Sequence, residues 1–273
     1  MRIAILHPGQ MGVSVAAALQ ASGHEVLWCR EDRSSATASR AAAFAAVDTL
    51  AALSDACEAC ISVCPPGEAL PQARAVAATG FDGLYVDANA VAPATAAEVA
   101  DFFGERFVDG GIIGPPALTP GTTRLYLSGA RSAEVTGWFT DGALQAVDLG
   151  AGSTRASALK MAYAAYTKGL AALLLNVNAL AARNDVRDAL VAEWQLSQPG
   201  LAARSEGAAA GTSPKAWRFV GEMQEIAATF DAAGLPAGFH EAAAQVYERL
   251  ASFKDQPGAE LADVLEALLR ETG

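Results

Sequence analysis

Positively charged residues are scarce in this sequence. Its 273 residues include 19 lysines and arginines against 30 aspartates and glutamates, for a formal net charge of −11. This balance disfavours binding to a nucleic-acid backbone or to an anionic membrane, because both partners require a cationic surface. Only four of the basic residues are lysines: Lys160, Lys168, Lys215 and Lys254.

Long apolar runs are also missing. The N-terminal run Ile3–Leu6 ends at His7, and a signal peptide needs a longer apolar stretch followed by a small-residue cleavage site. The most apolar segment begins at Leu170 and is interrupted by Asn176 and Asn178, which makes it too short and too polar to cross a bilayer. We therefore expect a cytoplasmic protein with no membrane partner.

Cysteine is confined to four positions in the first quarter of the chain. Cys57 precedes the predicted strand Ala59–Val63, Cys60 lies within it, Cys64 follows it, and Cys29 is remote in sequence. A strand separates the pair from Cys64 too widely for one tetrahedral metal site, and no nearby histidine completes one. We predict no metal and no disulfide, with the cysteines acting as small buried hydrophobic residues.

The composition, 52% hydrophobic and 18% charged, is that of a folded protein, and the length favours two domains. Short apolar runs alternate with alanine-rich segments in the first half. The predicted strands are Arg2–Leu6, Glu25–Cys29, Ala59–Val63, Gly83–Asp87, Arg106–Asp109 and Arg124–Ser128. The predicted helices are Met11–Ser22, Ser34–Ala43, Gly67–Ala77 and Pro93–Phe103. This alternation predicts a doubly wound α/β fold, a parallel sheet with helices on both faces.

The pattern changes after Gly150, where no further strand is predicted. One long helix, Thr154–Arg183, is apolar on most of its surface, which predicts burial inside a domain or between subunits. The other predicted helices are Val186–Gln195, Ser213–Ala233, Gly238–Phe253 and Glu260–Arg270. We therefore predict an α/β domain over residues 1–150 and an all-α domain over residues 151–273.

A strand, a tight turn and a helix start follow one another within the first 12 residues. Gly9 would let the backbone approach a pyrophosphate, and Gly12 would let the helix pack closely on the strand. The helix start, with Gln10 and Met11, would offer N–H donors to the phosphates. His7 replaces the usual first glycine, so the alternative is a glycine turn without a ligand. The pattern favours an NAD(P) site.

The loop after the second predicted strand bears on the choice of cofactor. Arg30, Arg33 and Ser34 suit a ribose 2′-phosphate, which accepts hydrogen bonds from guanidinium and hydroxyl groups. Glu31 or Asp32 could instead bind a ribose hydroxyl, as in NAD sites, and a merely solvated loop is the third alternative. The loop favours NADP over NAD.

Several segments resemble one superfamily in the same order along the chain. They are the Gly-x-Met-Gly turn at residues 9–12, Ile61–Pro66, Val86–Pro93, Phe107–Gly111, and Gly150-x-Gly152 followed by Ala158–Met161. These segments resemble the β-hydroxyacid dehydrogenase superfamily, which includes 6-phosphogluconate dehydrogenases, 3-hydroxyisobutyrate dehydrogenases and imine reductases. The second half is most similar to a phosphogluconate-dehydrogenase-like branch.

The resemblance implies a Rossmann domain over residues 1–150 and an all-α substrate and dimerisation domain over residues 151–273. It places Cys64 and Pro65 beside the cofactor ribose and Asn89 near the nicotinamide, as a residue for both cofactor binding and catalysis. It also makes Lys160 the catalytic lysine and implies a homodimer formed by the helical domains. Without the resemblance, Lys160 would be interpreted as a solvated or snorkelling lysine.

Several positions depart from the superfamily pattern, among them Asn89, which replaces a serine in the nicotinamide loop. The active-site serine is replaced by Ile113, and the asparagine four residues after the lysine is replaced by Ala164. Gly221 stands approximately where a second lysine is expected, and Ala90 replaces a threonine in the nicotinamide loop. The standard substrates of the family therefore cannot be assumed.

The resemblance implies an NADP-dependent oxidoreductase that moves a hydride between the nicotinamide and a small hydroxy acid or ketone. Lys160 would donate or accept the proton, and Tyr163 could replace the missing asparagine as a hydroxyl donor, although aromatic packing is the commoner role. Imine reduction is an alternative, which Lys160 disfavours because imine-reducing members usually lack the lysine. A non-catalytic NADP-binding protein is another, which His7 and Ile113 favour.

Overall fold

An eight-stranded sheet organises the first half of the chain. The structure, a computed structural model, describes residues 1–254, 256 and 258–270. The strands are β1 (Arg2–Ile5), β2 (Glu25–Cys29), β3 (Ala45–Val47), β4 (Ala59–Ser62), β5 (Leu84–Asp87), β6 (Phe107–Ile113), β7 (Thr123–Ser128) and β8 (Leu144–Asp148). They lie in the order β3-β2-β1-β4-β5-β6-β7-β8. The predicted doubly wound α/β fold is confirmed.

The expectation that all strands of the sheet are parallel is wrong. The strands β1 to β6 are parallel, but β7 pairs antiparallel with β6, and β8 is parallel to β7. The connection from β6 to β7 contains no helix, so the chain returns in the opposite direction instead of making a crossover. The strands β3 and β8 were not among the predicted elements.

Helices cover both faces of this sheet. They are α1 (Gln10–Ala21), α2 (Ser35–Arg40), α3 (Leu50–Ala56), α4 (Ala69–Ala78), α5 (Pro93–Phe103) and α6 (Ser132–Thr136). Alternate residues of β1 point to opposite faces, as a strand requires. Ile3 and Ile5 pack in one apolar core with residues of α1, whereas Ala4 and Leu6 pack in a second core with residues of α3, α4 and α5.

The chain after Gly150 is helical in its described residues, as predicted. The helices are α7 (Arg155–Arg183), α8 (Arg187–Ser197), α9 (Leu201–Thr212), α10 (Ala216–Ala232), α11 (Gly238–Arg249) and α12 (Leu261–Leu269). The chain divides into two compact units, Met1–Met161 and Ala162–Gly273, and the division falls inside α7. Helix α9 was not predicted.

A buried ion pair lies in the core of the second unit. The Lys168 ammonium on α7 contacts the Glu222 carboxylate on α10, and both side chains are almost fully buried. The ammonium also lies 4.9 Å from the centre of the Phe219 ring. The Tyr247 hydroxyl on α11 donates to the Lys168 carbonyl oxygen at 2.8 Å. This cluster joins α7, α10 and α11 by polar contacts within an apolar core.

All four cysteines are free thiols, and Cys29, Cys57 and Cys60 are buried. The Sγ atoms of Cys57 and Cys60 lie 3.6 Å apart, in an apolar core that also contains Leu53 and Tyr85. Among the described residues, no group of three or more histidine, cysteine or acidic side chains is arranged to hold a metal ion. None of the described helices is both long and apolar enough to cross a membrane.

Candidate functional site

The turn between β1 and α1 has the geometry of an open phosphate loop. Gly9 is the N-cap residue of α1, and no described side chain caps this helix. Apart from the chain neighbours of Gly9, no heavy atom of the described residues would lie within 4 Å of a Cβ atom on this residue, so the space over it is open. A Cβ atom on Gly12 would lie only 2.1 Å from the His7 carbonyl oxygen and 3.3 Å from Ile5 Cγ2. Gly12 therefore permits the close approach of α1 to β1.

Arg33 lies against this turn. One of its terminal nitrogens donates to the Leu6 carbonyl oxygen at 3.2 Å, while its buried Nε has no hydrogen-bond partner among the described residues. Burial and, to a smaller extent, the positive charge of Arg33 lower the pKa of His7 to about 4. This imidazole is therefore neutral near pH 7. The His7 Nδ1 atom is also buried, and no described residue forms a hydrogen bond with it. Two buried polar atoms at this turn, His7 Nδ1 and Arg33 Nε, thus lack a partner among the described residues.

Three other polar residues of the loop after β2 have partners in the fold. The Arg30 guanidinium is exposed and forms an ion pair with Asp48 at 3.2 Å. The Ser34 Oγ caps α2 by accepting a hydrogen bond from the Thr37 amide at 3.2 Å. The Glu31 carboxylate accepts from the amide of Leu50, at the start of α3, at 3.0 Å. Arg33 is therefore the loop residue that directly contacts the turn after β1.

Asn89 joins the carboxyl ends of β4 and β5. Its Oδ1 accepts a hydrogen bond from the Cys64 amide at 2.6 Å, and its Nδ2 donates to the Ser62 Oγ at 3.1 Å. The Asn89 side chain is buried, whereas Pro65, which follows Cys64 in the loop after β4, is exposed. Asn89 thus shapes the loop that carries Cys64 and Pro65. Its proposed contact with the nicotinamide stays a prediction.

Asp87, the last residue of β5, was not predicted as a site residue. Its Oδ1 accepts from the Asn89 amide at 2.9 Å, whereas its buried Oδ2 has no hydrogen-bond partner in the described part of the chain. Burial raises the pKa of Asp87 to about 7, despite hydrogen bonds from Asn89 that lower it. The carboxyl group can therefore carry a proton near neutral pH.

Lys160 packs on β6. Its Nζ donates to the Ile112 carbonyl oxygen at 2.7 Å. A Cβ atom on Gly111 would lie 3.1 Å from the Lys160 Cβ and 2.7 Å from the Ala156 carbonyl oxygen, so only glycine allows α7 to pack this closely on the strand. Lys160 is therefore neither freely solvated nor merely snorkelling, because its ammonium is held on a strand carbonyl.

Asp109 fixes the start of α7 and was not predicted as a functional residue. Its carboxylate accepts from the Ser157 amide at 2.9 Å, from the Ser157 Oγ at 2.5 Å and from the Ser128 Oγ at 3.0 Å. The Ser128 Oγ in turn accepts from the Ala156 amide at 3.0 Å. A negative charge at a helix N-terminus also interacts favourably with the helix dipole. Asp109 thereby sets the position of Lys160, one turn further along.

The predicted site residues therefore form two groups. The first group comprises the turn after β1, Arg33 and the Asn89–Cys64 pair. These residues follow strands β1, β2, β5 and β4, whose carboxyl ends lie along one edge of the sheet. The strand order reverses between β1 and β4, where ligands bind in doubly wound folds. The second group, Lys160 and Tyr163, lies on α7. Tyr163 is half exposed, and its catalytic role stays a prediction.

Solved structures share this fold. The conserved protein MTH1747, described as structurally similar to 3-hydroxyacid dehydrogenases, is 24% identical, with a TM-score of 0.68 over 93% of this chain and 98% of its own. The 3-hydroxyisobutyrate dehydrogenase of Mycobacterium tuberculosis, solved with L-serine, is 18% identical, with a TM-score of 0.72 over 98% and 99%. The reductive aminase of Aspergillus terreus, solved with NADPH and ethyl levulinate, is 20% identical, with a TM-score of 0.55 over 97% and 98%.

Comparison of the sequence gives a shorter match. Residues 181–250 match the model of DUF1932, a domain of unknown function. No curated protein matches the sequence significantly. The resemblance to the β-hydroxyacid dehydrogenase superfamily is confirmed in the fold: the chain has the architecture shared by 3-hydroxyacid dehydrogenase and imine reductase structures, with a DUF1932 segment in its helical half.

Proposed function

We propose that this chain is an oxidoreductase that transfers a hydride between NADP and a small hydroxy acid or ketone, with Lys160 exchanging the proton. The observation that carries the proposal is the position of Lys160, whose ammonium is held at 2.7 Å on the Ile112 carbonyl oxygen of β6. The phosphate-loop turn after β1 belongs to the same unit. When bound, the nicotinamide supplies or accepts the hydride.

The turn after β1 fits a dinucleotide. No side chain of the described residues caps helix α1, so its N-terminal amides can donate to a pyrophosphate, and the helix dipole favours the negative charge. The space over Gly9 allows the close approach that such binding needs. The half-buried Arg33, with its unpartnered Nε, would donate to a phosphate from the side of the turn. These features favour a dinucleotide over a glycine turn without a ligand.

The charges of the loop after β2 support NADP over NAD. An NAD site uses an acidic side chain to bind the ribose 2′-hydroxyl. Here one oxygen of the Glu31 carboxylate accepts a hydrogen bond from the Leu50 amide at 3.0 Å, whereas Arg33 donates to the Leu6 carbonyl oxygen at the turn. The wild-type protein should bind NADPH more tightly than NADH in a fluorescence titration. Arg33→Ala should remove most of this preference, and equal affinities in the wild type would refute the assignment.

In this proposal, Lys160 acts as a general acid or base. In the direction of reduction, its ammonium would donate a proton to the oxygen of the forming alkoxide. In the direction of oxidation, the neutral amine would accept the hydroxyl proton. The hydrogen bond to Ile112 and the packing on Gly111 fix the side chain, which limits the orientations that the proton transfer must sample.

Imine reduction is the second candidate, because reductive aminases and imine reductases share the fold. Their TM-scores of 0.52 to 0.55 are lower than those of the dehydrogenases, at 0.69 to 0.72. A panel of hydroxy acids, ketones and cyclic imines separates the two activities. NADPH binding without turnover of any of these compounds would instead identify a non-catalytic binding protein.

Substitution of Lys160 tests the mechanism. Lys160→Met should lower kcat by roughly 10²- to 10⁴-fold, the range for loss of a general acid or base. NADPH affinity should stay close to that of the wild type. Lys215→Met is the matched control, because Lys215 is an exposed lysine. Turnover by Lys160→Met at the wild-type rate would disprove the proton-transfer role.

We also propose that α7 forms a homodimer interface. Large apolar residues recur along α7 every three or four positions, and several of them are exposed. They are Tyr163, Tyr166, Leu170, Leu173, Val177 and Leu180. A stripe at this spacing is typical of helix–helix packing. Leu173→Asp should convert a dimer into a monomer in analytical ultracentrifugation, whereas Leu196→Asp, at an 82% exposed position on α8, should not.

A further inference from the structure

Strands β6 and β7 present one common face to α7. Residues directly opposite each other in an antiparallel pair have side chains on the same face. The pair Asp109 and Ser128 is hydrogen-bonded to the first turn of α7, so this pair identifies the face. Two residues further along β6, Gly111 faces Lys160. The next pair on this face is therefore Ile113 and Arg124.

This register places Arg124 close to Lys160. The Lys160 ammonium donates to the carbonyl of Ile112, and Arg124 is opposite the very next residue of β6. A strand advances about 3.4 Å per residue, and paired residues of neighbouring strands lie about 5 Å apart. A molecule of a few carbon atoms could therefore contact the Lys160 ammonium with one group and the Arg124 guanidinium with another.

The loop after β6 offers few backbone donors to an anion. Pro115 and Pro116 have no N–H group. The Ala117 amide donates to the Ser14 Oγ at 3.0 Å, and the Leu118 amide donates to the Pro116 carbonyl oxygen at 2.8 Å. Ile113 brings an apolar side chain. Within residues 114–118, at most the Gly114 amide could bind a ligand, so an anionic group here needs a cationic side chain.

Arg124 has that charge without a carboxylate partner. Its hydrogen bond to the Gly121 carbonyl oxygen is long, at 3.5 Å. Among the described residues, no carboxylate forms an ion pair with it, and its side chain is neither fully exposed nor buried. A guanidinium binds a carboxylate through two parallel hydrogen bonds, which fixes both the position and the orientation of the carboxylate.

We propose that Arg124 binds a carboxylate of the substrate beside Lys160. The substrate is then an organic acid, a hydroxy acid or its keto acid, rather than a neutral alcohol or ketone. This inference rests on the proposed function, because it places the reacting carbon between Lys160 and the nicotinamide. It makes Arg124 the specificity-determining residue and the adjacent Ile113 an apolar wall.

The test compares acids with their methyl esters as substrates. Arg124→Met should lower kcat/KM for the acid about 10- to 100-fold, chiefly through KM, because one charged hydrogen-bonding partner is lost. Turnover of the ester should stay close to that of the wild type. Arg124→Lys should be intermediate, because it keeps the charge but loses the planar pair of donors. Arg131→Met is the matched control, since Arg131 pairs with Glu134 on the surface.

Two results would overturn the role of Arg124. In the first, Arg124→Met lowers kcat/KM equally for acid and ester; in the second, it leaves the acid unaffected. Binding of malonate, a dicarboxylate without a reactive carbonyl or hydroxyl, gives a readout independent of turnover. Calorimetry with and without NADPH should show at least a tenfold weaker affinity in Arg124→Met and no change in Arg131→Met. Wild-type protein that binds no malonate would also refute the assignment.

These arms distinguish the inference from the proposed function. If the wild type turns over neither acids nor esters, the proposed function fails, while malonate still tests the anion site at Arg124. If esters are turned over as well as acids and Arg124→Met has no selective effect, the proposed function stands and Arg124 has no part in specificity.

Discussion

The two glycines of the turn after β1 allow packing and cofactor binding to be tested separately. A Cβ atom at residue 12 would lie 2.1 Å from the His7 carbonyl oxygen, 3.1 Å from the His7 carbonyl carbon and 3.3 Å from Ile5 Cγ2. The first two of these atoms belong to the backbone and cannot rotate away. Gly12→Ala therefore forces α1 away from β1 by about 1 Å, if a normal contact of roughly 3.2 Å is to be restored.

The expected cost follows from that displacement. Overpacking a close contact destabilises a protein by about 1–3 kcal/mol, while alanine in place of glycine in a helix returns up to about 1 kcal/mol. The free energy of unfolding of Gly12→Ala should thus fall by about 1–2 kcal/mol. Gly9→Ala meets no atom within 4 Å and has an ordinary backbone, with φ −72°, so it should cost less than about 1 kcal/mol, as a change at an N-cap.

Cofactor affinity should show the opposite order. A methyl group at residue 9 occupies the space that the pyrophosphate is proposed to use. In Gly9→Ala, the binding free energy of NADPH should therefore fall more than the free energy of unfolding. Urea unfolding and NADPH fluorescence titration, applied to both variants, measure the two effects. If Gly12→Ala is as stable as the wild type, the packing argument is wrong. If Gly9→Ala binds NADPH normally, the pyrophosphate does not pass over this turn.

Three further substitutions address the polar groups of the core. Lys168→Met should lower the free energy of unfolding by about 3–5 kcal/mol, because it leaves the Glu222 carboxylate buried without its partner, and the double variant with Glu222→Leu should recover much of the loss in urea unfolding. Asp109→Ala should cost about 2–4 kcal/mol by the same measurement, because it leaves the buried Ser157 groups at the start of α7 unpaired. Asp87 holds its proton in the folded chain up to about pH 7 but releases it near its usual pKa of 3.8 when unfolded, so its contribution to stability falls as the pH rises between these values. Asp87→Asn should flatten that part of the profile of melting temperature against pH; an unchanged slope would contradict the raised pKa.

Strong local patterns made most of the fold predictable from the sequence. Glu25–Cys29 and Pro93–Phe103 have the predicted bounds, because one is a continuous apolar run and the other begins with a helix-starting proline. Strand β3 has three residues and β8 is only partly buried, so neither forms an apolar run. In α9, Gly207 and Gly211 weaken the helical pattern. Strand β7 runs antiparallel to β6 because no crossover helix connects the two strands, and the apolar pattern of a strand does not indicate its direction.

The site was less predictable, because hydrogen bonds within the fold decide which side chains are available. The sequence of the loop after β2 presents Arg30, Glu31 and Arg33 as equivalent charges. Only the folded chain shows that Arg30 pairs with Asp48 and that Arg33 contacts the turn after β1. Arg124 was not predicted as a site residue for a related reason. Its position opposite Ile113 follows from the register of β6 and β7, and a single arginine in the sequence does not indicate that register.

The contact between Glu31 and the first amide of α3 has a consequence for how cofactor preference can change. Its carboxylate serves as an N-terminal anchor for that helix, alongside the Thr49 cap. An engineered or evolved switch to NAD that recruits this acid for a ribose hydroxyl would leave the start of α3 with one unpaired donor. Selectivity and local helix stability are thus traded against each other at Glu31, and a switch that leaves α3 intact has to use Asp32, the other acid of this loop.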